Sequence, residues 1–327
     1  MTGEAVAPAT VREADLCPAC RGASMRTLFH GTDRLFATTA KFFEVVECTD
    51  CRLMRLFPQP TAEELKQYYP RNYWFEPGTD AASRIEDFYR RLVLGDHVRF
   101  VERAIESTKA PGPLLDVGCG GGLFIRLLRE RGHKVLGLDF SMDAVRAAWK
   151  VNRVPALCAS LVDAPMRPGA FSVITMFHVL EHLYDPVRYV EEAHKLLAAD
   201  GRLVVQVPNA SSWQFLLFGQ NWNGIDVPRH LVDFREKDIV GLLEAHGFEV
   251  LRRKFFSLRD NPAGMATSIS VALDPMSRRV RKAPESTPMR LVKDGLYFGL
   301  TLLCLPFTLI EAACRAGSTV MIEARKK

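Results

Sequence analysis

The stretch Leu114-Leu115-Asp116-Val117-Gly118-Cys119-Gly120-Gly121-Gly122 constrains this chain more than any other. A short apolar run of strand character reaches an acid, and a glycine-dense turn then opens a helical run. Glycines at such a junction permit left-handed backbone and let a ligand approach the main chain closely. The loop is not the nicotinamide fingerprint G-x-G-x-x-G, because Leu123 stands where its third glycine would be. No Lys-Ser/Thr pair follows, which excludes a Walker loop. A second acid, Asp139, ends the next strand-like run, KVLGLD (134–139). There it can accept hydrogen bonds from ribose hydroxyls, as the corresponding acid does in dinucleotide-binding folds.

From residue 111 onward, β-rich runs alternate with helical ones. The runs at 114–117, 134–139, 171–177 and 202–207 are separated by helical patterns near 122–131, 142–151 and 186–198. A further helix near 236–246 precedes FEVLRRKFF, and STVMIEARKK ends the sequence as a last strand candidate. This pitch predicts an open, mostly parallel α/β sheet with a crossover helix per unit. Four blocks result: a polar, disordered tail over 1–15, a cysteine-bearing ribbon over 16–58, a helical linker or lid over 59–110, and the main domain over 111–327. In the helical linker, Thr61 and Glu64 have capping-box spacing. The 327 residues are 48% hydrophobic and 25% charged, which excludes a disordered, collagen-like or polytopic membrane chain. A net charge of +5 is too small to argue for nucleic acid. The N-terminus lacks a basic region followed by an apolar one, so the expectation is a cytoplasmic protein whose thiols stay reduced or bind metal.

Cys17-x-x-Cys20 and Cys48-x-x-Cys51 are two knuckles separated by enough chain for a small β-ribbon. Together they can give four thiolates to one tetrahedral zinc ion. A closed four-cysteine site is structural, not catalytic. Cys119, Cys158, Cys304 and Cys314 are scattered and read as small packing residues.

The series Asp116, Gly118, Gly120, Gly122 resembles the first motif of class I S-adenosylmethionine-dependent methyltransferases. The segment Phe171 to Pro186 looks like that family's fourth-strand motif. Upstream, the paired cysteines, Phe57-Pro58-Gln59-Pro60, Tyr68-Tyr69-Pro70 and Asn72-Tyr73-Trp74 resemble a bacterial subgroup with an N-terminal zinc ribbon. Asp226-Val227-Pro228-Arg229-His230 and Phe234 resemble it as well. The resemblance implies a Rossmann-like open seven-stranded sheet, mostly parallel, with the last strand antiparallel and inserted between earlier ones. It implies S-adenosylmethionine as cofactor, with Gly118, Gly120 and Gly122 along its methionine part and Asp139 at its ribose. Ser160 and Leu161 would pass the adenine, and Asp116, Tyr73, Phe177 and His178 complete the cofactor set. Many relatives carry an acid where Ser160 stands.

His178-x-x-Glu181-His182 has the inverted zincin spacing, but that site requires one helix, and here His178 follows a strand. Strand C-terminal ends line the ligand crevice of open α/β sheets, so His178 is expected to face the transferred methyl or the acceptor. Methyl transfer to a hydroxyl needs in-line alignment and removal of a proton, which histidine can accept. Glu181, His182 and His230 join His178 as catalytic candidates. An open alternative is a divalent ion held by His178, Glu181, His182 and His230.

From Gly295 to Ile310 no residue is charged, Pro306 interrupts the run, and Arg278, Arg279, Arg281, Lys282, Arg290 and Lys293 precede it. A single crossing here would separate the last strand from its sheet. The segment therefore belongs to a helical, apolar insertion over about 262–315. It packs in the core, meets a dimer partner, or lies through 290–314 on the inner face of an anionic membrane as a peripheral contact. The acceptor is expected to be a small molecule, through a hydroxyl or carbon of a sugar, lipid-linked glycan or secondary metabolite. The alternatives are a catalytically degenerate zinc-ribbon scaffold and a metal-dependent RNA-end methyltransferase. The oligomeric state is open.

Overall fold

Cys17 and Cys48 begin identical turns. Arg21 N donates to Cys17 O (2.8 Å) and Arg52 N to Cys48 O (3.0 Å), and both arginines take positive φ. Between the turns run β1 (Met25–Gly31) and β2 (Phe43–Cys48), and β3 (Met54–Phe57) follows, all antiparallel. The computed structural model describes residues 16–69, 81–282 and 284–327, the side chains of 81–89 excepted. The tail over 1–15, Tyr73 and Trp74 lie outside the described residues.

Next come α1 (Ala62–Gln67), which carries the Thr61–Glu64 capping box, and α2 (Ala81–Ser107). The main sheet then begins with β4 (Leu114–Val117), α3 (Leu123–Glu130), β5 (Val135–Asp139), α4 (Met142–Lys150) and β6 (Ala156–Cys158). It continues with β7 (Phe171–Phe177), α5 (Pro186–Leu196) and β8 (Leu197–Pro208). After α6 (Trp213–Phe218), the two-residue β9 (Val232–Asp233) leaves the main sheet and pairs with β3, so the ribbon's sheet runs β1-β2-β3-β9. Then follow α7 (Glu236–Ala245), β10 (Phe248–Lys254), α8 (Asn261–Ile269), α9 (Pro275–Val280), α10 (Thr287–Ala313) and β11 (Thr319–Lys326).

The main sheet has seven strands in the order β10-β11-β8-β7-β4-β5-β6. β4, β5, β6, β7 and β8 are parallel, and β11 inserts antiparallel between β8 and β10. The central strands are apolar runs because helices cover both faces. On one face Val98, Val101 and Ala104 of α2 pack with Ile125, Leu128 and Ala148 of α3 and α4. On the other, Val190, Ile239 and Leu243 of α5 and α7 share a cluster with Cys17, Cys48 and Leu53 of the ribbon. The direction of winding reverses between β4 and β7, which opens a crevice at their C-terminal ends. The glycine loop, Asp139 and His178 leave the sheet at that edge.

Candidate active site

The glycine loop is built on left-handed backbone. Gly118, Gly120 and Gly122 have φ of +74°, +52° and +78°. A Cβ on Gly118 would lie 2.6 Å from Val179 Cγ2, and one on Gly122 would lie 2.6 Å from Val154 Cγ2, whereas one on Gly120 would meet nothing within 4 Å. Two glycines therefore serve packing, and Gly120 leaves open space beside the main chain. Gly120 N donates to Asp139 Oδ2 (2.9 Å), and Ser141 N donates to Asp139 Oδ1 (2.8 Å). Each oxygen keeps a further lone pair for a ligand hydroxyl. Asp116 accepts from Thr175 Oγ1 at 2.6 Å. Burial and the charge of Asp139 push its carboxyl up to about 7, against that hydrogen bond.

These residues line a cavity of about 1430 Å³ shared with Leu161, Phe177, His178, His182 and His230. Phe177 sits edge-on between His97 (5.2 Å) and Phe124 (5.1 Å). Ser160 turns its hydroxyl to Tyr189 (3.0 Å).

His178 has a φ of +56°, a conformation that costs a non-glycine residue energy and that surrounding contacts must hold. Its backbone N–H donates to Gln206 O (2.9 Å), and its Nδ1 lies 3.1 Å from Glu181 Oε1. Gln206 Nε2 bridges His178 Nε2 (3.0 Å) and Asp260 Oδ2 (2.7 Å). In the neutral ring that bridge engages the lone pair of Nε2 and selects the Nδ1–H tautomer. Burial also opposes charge, yet the carboxylates of Asp260, at 3.6 Å, and Glu181 raise the imidazole to about 9. At pH 7 the imidazole is therefore protonated and held by the two carboxylates, and it acts as a base once that proton is lost, when Nε2 can accept from Gln206 or from an incoming hydroxyl.

Behind this pair lies a chain of alternating basic and acidic side chains that the sequence reading missed. His97 Nε2 is 3.7 Å from Asp260, its Nδ1 is 2.8 Å from Asp96 Oδ1, and Lys254 Nζ donates to Asp96 Oδ2 at 2.7 Å. Burial would raise Asp260, but Arg259, His178 and His97 hold it well below the usual carboxylate range.

Glu181 is 1% exposed, and its Oε2 has no hydrogen-bond partner among the described residues. Ligand atoms of Glu181, His182 and His230 lie within 4.8 Å of one another. His230 Nδ1 donates to Gly224 O (2.9 Å), and His182 Nδ1 meets Arg229 O and Tyr69 Oη, both at 3.0 Å. A neutral ring that donates from Nδ1 is left with Nε2 as an acceptor. Burial and His182 push His230 down to about 4, so it is neutral at pH 7. The inverted zincin arrangement is absent, because a 3₁₀ turn (Leu180–His182) separates β7 from α5.

Other sequence candidates have structural places. Arg229, wholly buried, pairs with Asp33 (2.7 Å) and Asp226 (2.5 Å) and joins the ribbon to the main domain. Trp222 is buried against Phe215, and Trp213 lies tilted beside Phe307 (6.2 Å). In the ribbon, Cys17 Sγ is 3.5 Å from Cys51 Sγ, and Cys20 Sγ is 3.5 Å from Cys48 Sγ. All four sulfurs lie within 4.8 Å of one another. A zinc–sulfur bond of about 2.3 Å in a tetrahedron needs sulfurs slightly under 4 Å apart, so the donor set fits zinc.

Known proteins resemble parts of this chain. A probable S-adenosylmethionine-dependent methyltransferase of Mycolicibacterium smegmatis is 28% identical over 182 residues, covering 55% of this chain and 60% of that protein. A ubiquinone biosynthesis O-methyltransferase of Pseudomonas paraeruginosa is 30% identical over 134 residues, covering 38% of this chain and 56% of that protein. The chain thus spans little more than half the length of these relatives. Among solved structures, a SAM-dependent methyltransferase from Archaeoglobus fulgidus aligns with 76% of this chain and 100% of its own, at a TM-score of 0.47 and 16% identity. The family model of a methyltransferase domain matches residues 85–253, more than half of the sequence, so the chain belongs to the methyltransferase-domain family.

Proposed function

We propose that this protein transfers the methyl group of S-adenosylmethionine to a small-molecule acceptor. One observation carries the reading: the open side of Gly120, the carboxylate of Asp139 and the imidazole of His178 converge on one cavity. When bound, the cofactor supplies an electrophilic sulfonium methyl that a nucleophile displaces in line. Gly120 admits close backbone approach, Asp139 accepts from the ribose hydroxyls, and Leu161 offers an apolar wall to the adenine. An acceptor hydroxyl that displaces the Gln206 amide from His178 Nε2 gives its proton to the imidazole. Glu181 and Asp260 then stabilise the imidazolium. The O-methyltransferase names of relatives support an oxygen acceptor on a metabolite. The four-cysteine site holds a structural zinc ion that fixes the ribbon.

The test is transfer of tritiated methyl from S-adenosylmethionine into extracts of cells lacking this protein. Label entering a small-molecule fraction, dependent on the protein and lost in His178→Ala, is the expected result. A protein that binds the cofactor but labels nothing contradicts it. The unpartnered Oε2 of Glu181 beside His182 and the neutral His230 favours a second reading, in which a divalent ion there binds the acceptor's oxygens. Metal analysis separates the two: one zinc per chain supports the base mechanism, and a second bound metal supports the other.

A further inference from the structure

Helix α10 carries its polarity inside out. Tyr297, Thr301, Cys304, Thr308 and Glu311 recur at helical spacing and face the protein. Leu296, Phe298, Leu302, Leu303, Leu309 and Ile310 face outward, Leu303 being 79% exposed. A helix packed on a core in water shows the opposite arrangement. The inward polar groups are satisfied. Tyr297 Oη bonds Thr267 Oγ1 (2.9 Å) and Ala263 O (3.1 Å) of α8, Thr301 returns its hydroxyl to Tyr297 O (2.9 Å), and Glu311 accepts from Gln214 Nε2 (2.9 Å) of α6. The two helices that pack on α10 extend the outer surface with Leu216 (77% exposed), Leu217 and Ile269.

We infer that this face docks on an anionic lipid bilayer. It does not cross the membrane, because β11 begins at Thr319 and pairs inside the sheet between β8 and β10. The helix lies along the surface for about 40 Å at 1.5 Å per residue. Two observations favour a bilayer over a second copy of the chain. The outer face offers no charged group from Gly295 to Ile310 with which to set the register of a protein partner. Cationic groups instead gather at one end. Arg278 and Lys293 are neutralised by Glu285 and Asp294, while Lys282 and Arg290 are exposed. Apolar surface with basic residues at its edge is the pattern that suits acidic headgroups. Thr267, Met276 and Tyr297, from α8, α9 and α10, also line the central cavity. Docking therefore sets one wall of that cavity against the lipid.

The experiment is flotation of the full, zinc-loaded chain with vesicles of phosphatidylcholine, alone or mixed equally with phosphatidylglycerol. Flotation with the mixed vesicles and at least about tenfold less on phosphatidylcholine alone is expected. Leu302→Glu combined with Leu303→Glu should lower binding at least about tenfold, with melting temperature and zinc content unchanged. A wild type that stays unbound, or that floats equally on both vesicles, overturns the proposal. So does a double variant that floats like the wild type. A soluble dimer that the double variant splits, without vesicle binding, assigns the face to a second copy instead.

Discussion

At the residue scale, Gly120 and His178 share left-handed backbone, one without a side chain and one with a ring that its neighbours must hold. Gly120 sits at positive φ with open space where a Cβ would point, and that space belongs to the cavity. Gly120→Ala should therefore cost only about 1 kcal/mol in urea unfolding while weakening S-adenosylmethionine binding at least about tenfold. Gly122→Ala should destabilise more, because its Cβ meets Val154 and Ala148. Unchanged cofactor affinity in Gly120→Ala would show that the loop is merely a tight turn. His178 is raised to about 9, above the usual imidazole value. Its charge thus contributes stability that is full below about pH 6.5 and fades as pH rises through about 9. Turnover runs the other way, since a base must be neutral. The rate should climb across that window, and His178→Gln should remove the climb and lower kcat by about 10²–10⁴-fold. A flat profile in the wild type would exclude His178 as base. Asp116, Asp139 and the glycines were legible because a strand end, an acid and a glycine turn are local in sequence. Asp260 and His97 were not, because their meeting with His178 depends on the fold. A clue existed: His97 interrupts the buried stripe of Val93, Leu94, Val98 and Val101, and a polar ring there needs a partner.

At the element scale, the parallel strands could be read directly, since burial on both faces leaves continuous apolar runs. The capping box of α1 was equally plain. The two-residue β9 could not be read, having no periodicity of its own and pairing with a strand far away in sequence. It lies just after Arg229, whose two carboxylate partners tie the ribbon to the main domain. Arg229→Met should cost about 3–5 kcal/mol in urea unfolding, because Asp33 and Asp226 are left without their shared buried cation. A loss under about 1 kcal/mol would mean that the brace contributes little. In α10 the apolar content was visible in sequence, but the direction of its faces was not. Thr301, Cys304, Thr308 and Glu311 share one side, and only packing shows which side meets the protein.

At the scale of the whole molecule, the ribbon and the sheet form one structure. Cys17, Cys48 and Leu53 share a core with α5 and α7, β9 completes the ribbon's sheet, and Arg235 Nη2 donates to Glu47 Oε1 at 2.5 Å. Stripping zinc with a strong chelator should thus lower the melting temperature of the entire chain, not loosen the ribbon alone. An unchanged melting curve after complete chelation would contradict a structural zinc site. The most direct measurement of the central claim is titration calorimetry of the zinc-loaded protein with S-adenosylmethionine. The account predicts saturable binding at one site per chain, weakened in Asp139→Ala. No binding by the folded, zinc-loaded protein would contradict it and leave a methyltransferase fold used as a scaffold.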